Sequence, residues 1–424
     1  MGLVRGRGEG MKKSTLILFV LIAVFSAVTF VACNTDVVPV RSVTLTIDST
    51  HMKVGENKTL YATVRPADAA DTSVTWTSSD ESIATVDANG KVTAVSTGTA
   101  TITVASNFDN TKKATCTVNV YDPNSTPLTL ELIEDGDFTL TIKKYETPNV
   151  YYSYNGGPLQ NAGASVLLQN CSAGDKIALY RTINEPVPPI TIRCSSDCYV
   201  YGNVMSLIDS ANYATKTIVP EGAFMALFKY NDRIISHPDL DLVLPATELA
   251  ARCYDSMFYG CPGLKRAPEL PAEALANDCY ANMFYLCSGL TKAPELPAIT
   301  LADHCYDSMF HSCSSLTKAP ELPATTLEEY CYHRMFDDCT ALKDAPLLPA
   351  KTLVEYCYEE MFEGCVNITS ITCLATDVSA EGCTDYWVYG LHDQGTFYKD
   401  PSMDWDTGYS KVPAGWKIVD YSAK

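Results

Sequence analysis

The chain has 424 residues, of which 46% are hydrophobic. That is too long for one ordinary core, so two to four folded modules are expected. Fifty acidic residues against 31 basic ones set the formal charge at −19, which disfavours nucleic acid and anionic membrane surfaces as partners.

The N-terminus reads as an export signal. Lys12 and Lys13 precede an apolar run from Leu16 to Val31, and Ala32 and Cys33 come after it. A basic region, an apolar stretch and a small residue before the cut are the parts such a signal needs. Met11 is the better start, because M-K-K is already a complete basic region. The ending F-V-A-C resembles a bacterial lipobox. The resemblance implies that residues 1–33 form a lipoprotein signal, that Cys33 is acylated, and that the protein meets a membrane through that anchor alone. The alternative, a transmembrane anchor, sits at the short edge of what spans a bilayer (about 17 residues). Removing the segment takes away four basic residues and one acidic one, leaving the remainder more acidic still.

Residues 34–40 read as a tether. From Arg41 the pattern is strand-like: Val43, Leu45 and Ile47 alternate with polar residues, as do Ala100, Ile102 and Val104. A period of two with polar neighbours predicts half-buried strands of a sandwich. Asn89-Gly90 marks a turn that needs positive φ. The stretch from Val74 to Val104 (VTWTSSDESIATVDANGKVTAVSTGTATITV) resembles the bacterial Ig-like domain, group 2, over about residues 41–121. The resemblance implies a spacer or adhesion module without catalytic residues, with Trp76 in its core and Cys116 a lone buried thiol.

Residues 122–127 (D-P-N-S-T-P) have linker composition. Residues 128–200 alternate again at Phe138, Leu140 and Ile142, with a turn at Ala173-Gly174-Asp175. They predict a small β module suited to capping the N-terminal end of a repeat array.

The array itself begins at about residue 201. Cys253, Cys279, Cys305, Cys331 and Cys357 stand 26 residues apart, each opening a C-Y-x-x-M-F-x-x-C block that closes at Cys261, Cys287, Cys313, Cys339 and Cys365. A constant period predicts a solenoid, here over 201–390 with a closing cap at 391–424. Degenerate units flank it, A-F-M-A-L-F at Ala223–Phe228 and another at Cys383 and Trp387. Leu249, Cys253, Met257 and Cys261 are four apart, which predicts one face of a helix of about three turns. Leu264-x-x-Ala267-x-x-Leu270-Pro271 predicts a short extended segment. One helix and one strand per unit is a leucine-rich-repeat-like α/β geometry. The L-x-x-A-P-E-L-P-A and M-F-x-x-C elements resemble BspA-type leucine-rich repeats of bacterial surface proteins, departing from them in the cysteines and the longer period. That resemblance implies a surface adhesin that binds host proteins or other cells. With the other features it suggests a Bacteroides-type cell-surface lipoprotein.

Within one unit the cysteines are expected to be too far apart for a disulfide, since eight residues of helix rise about 12 Å and a bridge needs Cα atoms within roughly 7 Å. Buried thiols acting as small hydrophobes are expected, the Cys261 to Cys365 series being the less secure because stacked positions fall within bridging range. Cys194 and Cys198 read as a loop disulfide or two unrelated thiols, not a zinc knuckle. The six histidines show no constellation, and no metal, cofactor or catalytic motif is expected.

Two periodic rows remain as candidate ligand surfaces. Arg266, Lys292 and Lys318 recur at one offset, and Glu269, Glu295 and Glu321 at another. Their bland reading is an alternating-charge surface that keeps the protein soluble. Tyr254, Tyr280, Tyr306, Tyr332 and Tyr358 form the second row, which either packs between units or offers a platform to a sugar or protein. The expectation is a non-catalytic surface adhesin or ligand-binding scaffold for a host or cell-surface protein. A glycan-binding accessory lipoprotein binding polysaccharide, or a purely structural envelope protein, are the alternatives.

Overall fold

The computed structural model describes residues 37–143, 149–181 and 190–422; the export signal and Cys33 lie outside them. Nine strands build the N-terminal domain: β1 (Ser42–Leu45), β2 (Ser49–Lys53), β3 (Asn57–Thr59), β4 (Ala62–Arg65), β5 (Val74–Ser78), β6 (Ala84–Val86), β7 (Lys91–Ala94), β8 (Gly98–Ser106) and β9 (Lys113–Tyr121). They form a four-stranded sheet β2-β9-β8-β5, a three-stranded sheet β3-β7-β6 and a β1-β4 ribbon. Ala100 and Ile102 turn inward with Met52, Val92, Cys116 and Val118, and Trp76 packs against them half-buried. Gly90 has a φ of +79°, and a Cβ there would come within 2.7 Å of the Trp76 ring. The turn therefore needs glycine for its conformation and for the space.

The second module has strands β10 (Thr129–Leu132), β11 (Gly136–Lys143), β12 (Val150–Tyr154), β13 (Gln160–Asn161), β14 (Ser165–Cys171), β15 (Lys176–Arg181), β16 (Thr191–Cys194) and β17 (Cys198–Asn203). β14-β11-β16 form one sheet, and β13-β12-β15-β10-β17 form another. β17 runs on in parallel with β19 (Ile234–Ser236) and β20 (Leu242–Val243) of the repeat region. One apolar core therefore continues from Leu128 in this module to Trp416 near the C-terminus.

The repeat region departs from the expected α/β geometry. The described residues hold almost no helix, only two short 3-10 turns at Val204–Leu207 and Tyr213–Thr215. Each C-Y-x-x-M-F-x-x-C block is instead a row of four-residue turns. Arg252, Ser256 and Gly260 have positive φ in the first strict unit, as do Asp278, Asn282 and Leu286 in the second, and the columns continue to Gly390. Alternate N–H groups close turns, as Met257 does onto the Tyr254 carbonyl at 3.1 Å. The others reach the next coil, as Ser256 does to Ala281 and Phe258 to Met283, at 2.8 and 2.9 Å.

A spacing of four misled because a helix and a chain of four-residue turns share it. The distinguishing sign is the pair of adjacent core residues. On a helix Cys253 and Tyr254 would lie about 100° apart, and a row of such pairs would drift around the axis. Turns of four keep both members of each pair inward. Left-handed backbone at residues other than glycine costs about 1–2 kcal/mol each, and the buried stacks and coil-to-coil hydrogen bonds offset it.

Those stacks are in register. Tyr254 lies over Tyr280 with ring centroids 5.7 Å apart, and Phe258 over Phe284 at 5.6 Å. Phe224 and Phe228 begin the two columns, and Trp387 stacks beyond Tyr358. The closing cysteines are free thiols. Each donates to the Phe carbonyl one coil back, Cys287 to Phe258 and Cys313 to Phe284 at 3.1 Å, Cys365 to Phe336 at 2.9 Å. Each such carbonyl also accepts a backbone N–H, as Phe258 does from Cys261 at 3.1 Å, so the thiol adds a second bond while filling the space of a small apolar side chain.

The segment expected as a strand at Leu264–Pro271 is not regular. Pro268 and Pro271 have no N–H to give to a ladder, and coil-to-coil bridging there shrinks to single contacts such as Arg266 with Lys292. Two-residue strands recur at β18 (Ile218–Val219), β21 (Glu248–Leu249) and β22 (Leu347–Leu348). β22 leads into a parallel sheet with β23 (Ser370–Cys373), β24 (Thr396–Lys399) and β25 (Lys417–Asp420). Over its end Trp405 stacks on Trp387 at 5.7 Å.

Candidate ligand groove

The proline-rich segments of successive coils share one outer face. Leu264, Leu270, Leu290 and Leu296 are buried beneath it. Arg266, Glu269, Lys292, Glu295, Lys318 and Glu321 stand exposed between those anchors. At the first two coils this face meets the Ig-like domain and the loop 236–241, and together they enclose a groove of about 780 Å³. Arg266, Glu269, Lys292 and Glu295 line it over a floor that includes Pro268, Pro271, Ala293 and Pro294. Lys318 and Glu321 lie on the same face outside the groove.

One wall is held by a polar knot. Asp241 accepts an ion pair from Lys53 of the Ig-like domain at 2.6 Å and faces Arg266 at 3.4 Å. Tyr121, the last residue of β9, donates its hydroxyl to the Asp239 carbonyl at 3.2 Å. Burial and the charge of Asp241 both push the Tyr121 phenol well above its ordinary value, so it stays a donor. His237 shapes the loop: its Nδ1 accepts the N–H groups of Asp239 and Leu240 at 3.0 and 2.8 Å. Burial lowers the His237 pKa, which suits an imidazole accepting at that nitrogen. Arg266 also donates to the carbonyls of His237 and Leu240, so much of its hydrogen bonding is already used in building the wall. Lys292, Glu269 and Glu295 line the groove with no ion pair among the described residues and are placed to meet a ligand.

The segment read as a linker is itself pinned. Asn203 donates from its amide to the Asn124 carbonyl at 3.0 Å, and Tyr213 donates its hydroxyl to Ser125 at 2.7 Å.

The tyrosine row is not on this surface. Tyr254, Tyr280, Tyr306, Tyr332 and Tyr358 are each 1% exposed, and their rings stack face to face inside the solenoid. They offer no ligand platform, because the two-in, two-out turn puts the residue after each cysteine in the core. The aromatic columns that reach the surface, half-buried, are others. Tyr259, Tyr285 and His311 stack at 4.4 and 4.2 Å on the turn face, and His304, Tyr330 and Tyr356 at 4.5 and 4.7 Å. Aligning the sequence by its 26-residue period and reading the polar columns would have exposed both series.

Three of the six histidines, His304, His311 and His333, are drawn against carboxylates by the same stacking. His333 lies 3.0 Å from Asp307 and 3.4 Å from Glu359, and His304 lies 3.3 Å from Asp307. Burial opposes ionisation of Asp307, but hydrogen bonds and charge from His333 outweigh it and hold the carboxyl below its usual range. His311, Asp337 and Asp338 place ligand-type atoms within 4.8 Å of one another, as do Asp337, Glu360 and Glu363. Such sets are common on acidic surfaces without a metal. Burial, then the charges of Asp337 and Glu360, push Glu363 up to about 7.

Residues 39–118 match the family model of the bacterial Ig-like domain, group 2, and this part of the chain is such a domain. An uncharacterized protein of Clostridium acetobutylicum is 40% identical over 89 residues, 21% of this chain and 9% of that protein. A 3-O-alpha-D-galactosyl-alpha-L-arabinofuranosidase of Bifidobacterium longum is 48% identical over 71 residues, 17% of this chain and 6% of the enzyme. An Ig-like virion protein of Serratia phage KSP90 is 44% identical over 85 residues, 20% of this chain and 33% of that protein. The chain thus spans a minor part of each of these curated relatives, and the likeness to glycosidases is confined to an Ig-like segment. Among the described residues no helix is long and apolar enough to cross a membrane.

Proposed function

We propose that this is a non-catalytic binding scaffold of the bacterial cell envelope, held by an acylated Cys33. Its solenoid and Ig-like domain together present the groove to a host or cell-surface protein. The observation that carries this reading is the groove itself. It has an apolar floor of proline and alanine and rims of alternating Lys and Glu, and its wall is built from three segments distant in sequence. Such a shape suits an extended polypeptide segment bearing both charges. An apolar floor supplies affinity, and the fixed order of Lys292 and Glu295 supplies register. In this reading the Ig-like domain is part of the site as well as a spacer.

The test is an array of extracellular matrix and cell-surface proteins probed with the full chain. Binding that falls at least tenfold in a Lys292→Glu, Glu295→Lys variant supports the groove. Binding unchanged by that double reversal overturns it. Labelling with radioactive palmitate, lost in Cys33→Ala, checks the anchor separately. Hydrolase activity on a broad substrate panel would overturn the non-catalytic reading.

A second reading, polysaccharide binding, is favoured by an exposed aromatic cluster near the C-terminus. Tyr386, Tyr389 and Tyr409 are 51%, 45% and 69% exposed, and the rings of Tyr389 and Tyr409 lie 5.3 Å apart. Rings that keep free faces at the surface can stack on sugars. Retention on a polysaccharide gel that is lost in Tyr389→Ala and Tyr409→Ala variants would favour it over the protein partner.

A further inference from the structure

Cys194 and Cys198 stand at the corner where the two sheets of the second module meet. Cys194 ends β16, paired with Leu140 of β11 in one sheet. Cys198 begins β17, paired with Leu132 of β10 and Ile234 of β19 in the other. The turn Ser195–Asp197 joins them, and their sulfurs are 3.5 Å apart. This is the single thiol-to-thiol hydrogen bond among the described residues; the repeat thiols turn to carbonyls instead.

Both strands also grip the first coil of the solenoid. From β16, the Ile192 N–H donates to Leu227 at 2.6 Å and the Thr191 hydroxyl to Ala226 at 3.0 Å. From β17, the Cys198 N–H donates to Arg233 at 2.9 Å. Asn231 of that coil donates its amide to the Ile192 carbonyl at 3.1 Å and to the Cys194 sulfur at 3.5 Å.

We propose that Cys194 and Cys198 are a disulfide site, and that the bridge clasps both sheets of the module against the first coil. Forming the bond brings the sulfurs from 3.5 Å to about 2.05 Å. The oxidant is a disulfide of low molecular weight or of a partner oxidase. Cys194, the more exposed of the pair, loses its proton and attacks one sulfur of the donor. The donor S–S bond breaks, a mixed disulfide forms, and one thiol leaves carrying the proton. Cys198 then gives up its proton and attacks the Cys194 sulfur. The internal bond forms, the mixed bond breaks, and the second thiol leaves with that proton. Two electrons pass to the donor.

The bridge matters because a solenoid opens from its ends, where a coil has a neighbour on one side only. A bond joining β16 to β17 keeps the two strands that cover the first coil from parting.

The test uses the full chain equilibrated in glutathione buffers of graded potential, then denatured, alkylated and digested with trypsin. Arg193 and Lys216 bound one peptide that holds both cysteines. Under oxidising buffer this peptide is expected to be unalkylated and lighter by two hydrogens, while the single peptide that holds Cys305 and Cys313, ending at Lys318, labels fully. Alkylation of Cys194 and Cys198 at every potential, or a bridge from either to another cysteine, overturns the site. For the clasp, hydrogen exchange over residues 191–203 and 222–234 is expected to slow several-fold on oxidation of the wild type and not of C194S/C198S. Equal exchange in both redox states overturns the clasp. None of these readouts depends on the envelope reading or on a ligand.

Discussion

The Ig-like sandwich and the repeat solenoid both bury apolar side chains while pairing the backbone, but they do so with different periods. In the sandwich, residues alternate in and out, and each strand bonds to a neighbour through a ladder such as that joining β8 and β9. In the solenoid, residues go two in and two out, and half of the N–H groups in each block stay within their own coil. The first arrangement tolerates varied side chains, since cross-strand neighbours differ. The second places each side chain on its own copy one coil away, so Phe stacks on Phe and Tyr on Tyr. Sequence repetition in the solenoid is thus a direct requirement of its packing.

The largest effect that tests this comparison is a cavity in the stack. Phe310→Ala removes a ring packed between Phe284 and Phe336 and should cost about 3–5 kcal/mol. The two regions have separate cores, so urea unfolding monitored by circular dichroism should show the solenoid transition moving and the sandwich transition staying. Ile102→Ala, worth about 2–5 kcal/mol, should do the reverse. A single transition shifted equally by both would deny that the cores are separate.

A smaller change has the sharper sign. Leu286 is 42% exposed and has a φ of +58°. Leu286→Gly relieves left-handed strain and should raise solenoid stability by about 1 kcal/mol. In a helix the same change would lower it by about 1 kcal/mol. Denaturation midpoints of the variant therefore decide between tandem turns and helices.

Glu363 supplies a pH dependence. Its pKa is raised from 4.5 to about 7 in the folded state, so across that window the folded protein holds a proton that the unfolded chain has released. The stability it contributes is full below the unfolded value and is lost as pH rises through the folded one. Glu363→Gln should flatten the fall in melting temperature between about pH 5 and about pH 8. Parallel profiles for wild type and variant would count against a raised pKa. The smallest effect concerns Tyr254, whose buried hydroxyl has no hydrogen-bond partner among the described residues. Tyr254→Phe should be neutral or stabilising by less than about 1 kcal/mol, and a clear loss would show that the hydroxyl is satisfied.

Much of the sandwich was legible because local rules suffice there. Alternation at Ala100 and Ile102, the Asn89-Gly90 turn and the motif around Trp76 each point to the same strands. The repeat was legible as a period and illegible as a conformation. Leu249, Cys253, Met257 and Cys261 fit a helix stripe well, and only the adjacent Tyr254 and Phe258 argued otherwise. The candidate site divided in the same way. The exposed charges were visible as periodic rows, whereas the tyrosines, equally periodic, proved to be core.

By itself the sequence determined that coils stack in register every 26 residues, that an Ig-like domain precedes them, and which columns are chemically constant. These arise from local pattern and from repetition, which a single chain displays. The tertiary structure alone decided that the turns are left-handed every fourth residue, that Lys53 meets Asp241, and that Cys194 faces Cys198. The first depends on hydrogen bonds between neighbouring coils. The second depends on how two domains far apart in sequence settle against one another, and the third on the corner where the two sheets of one module meet, which no period encodes.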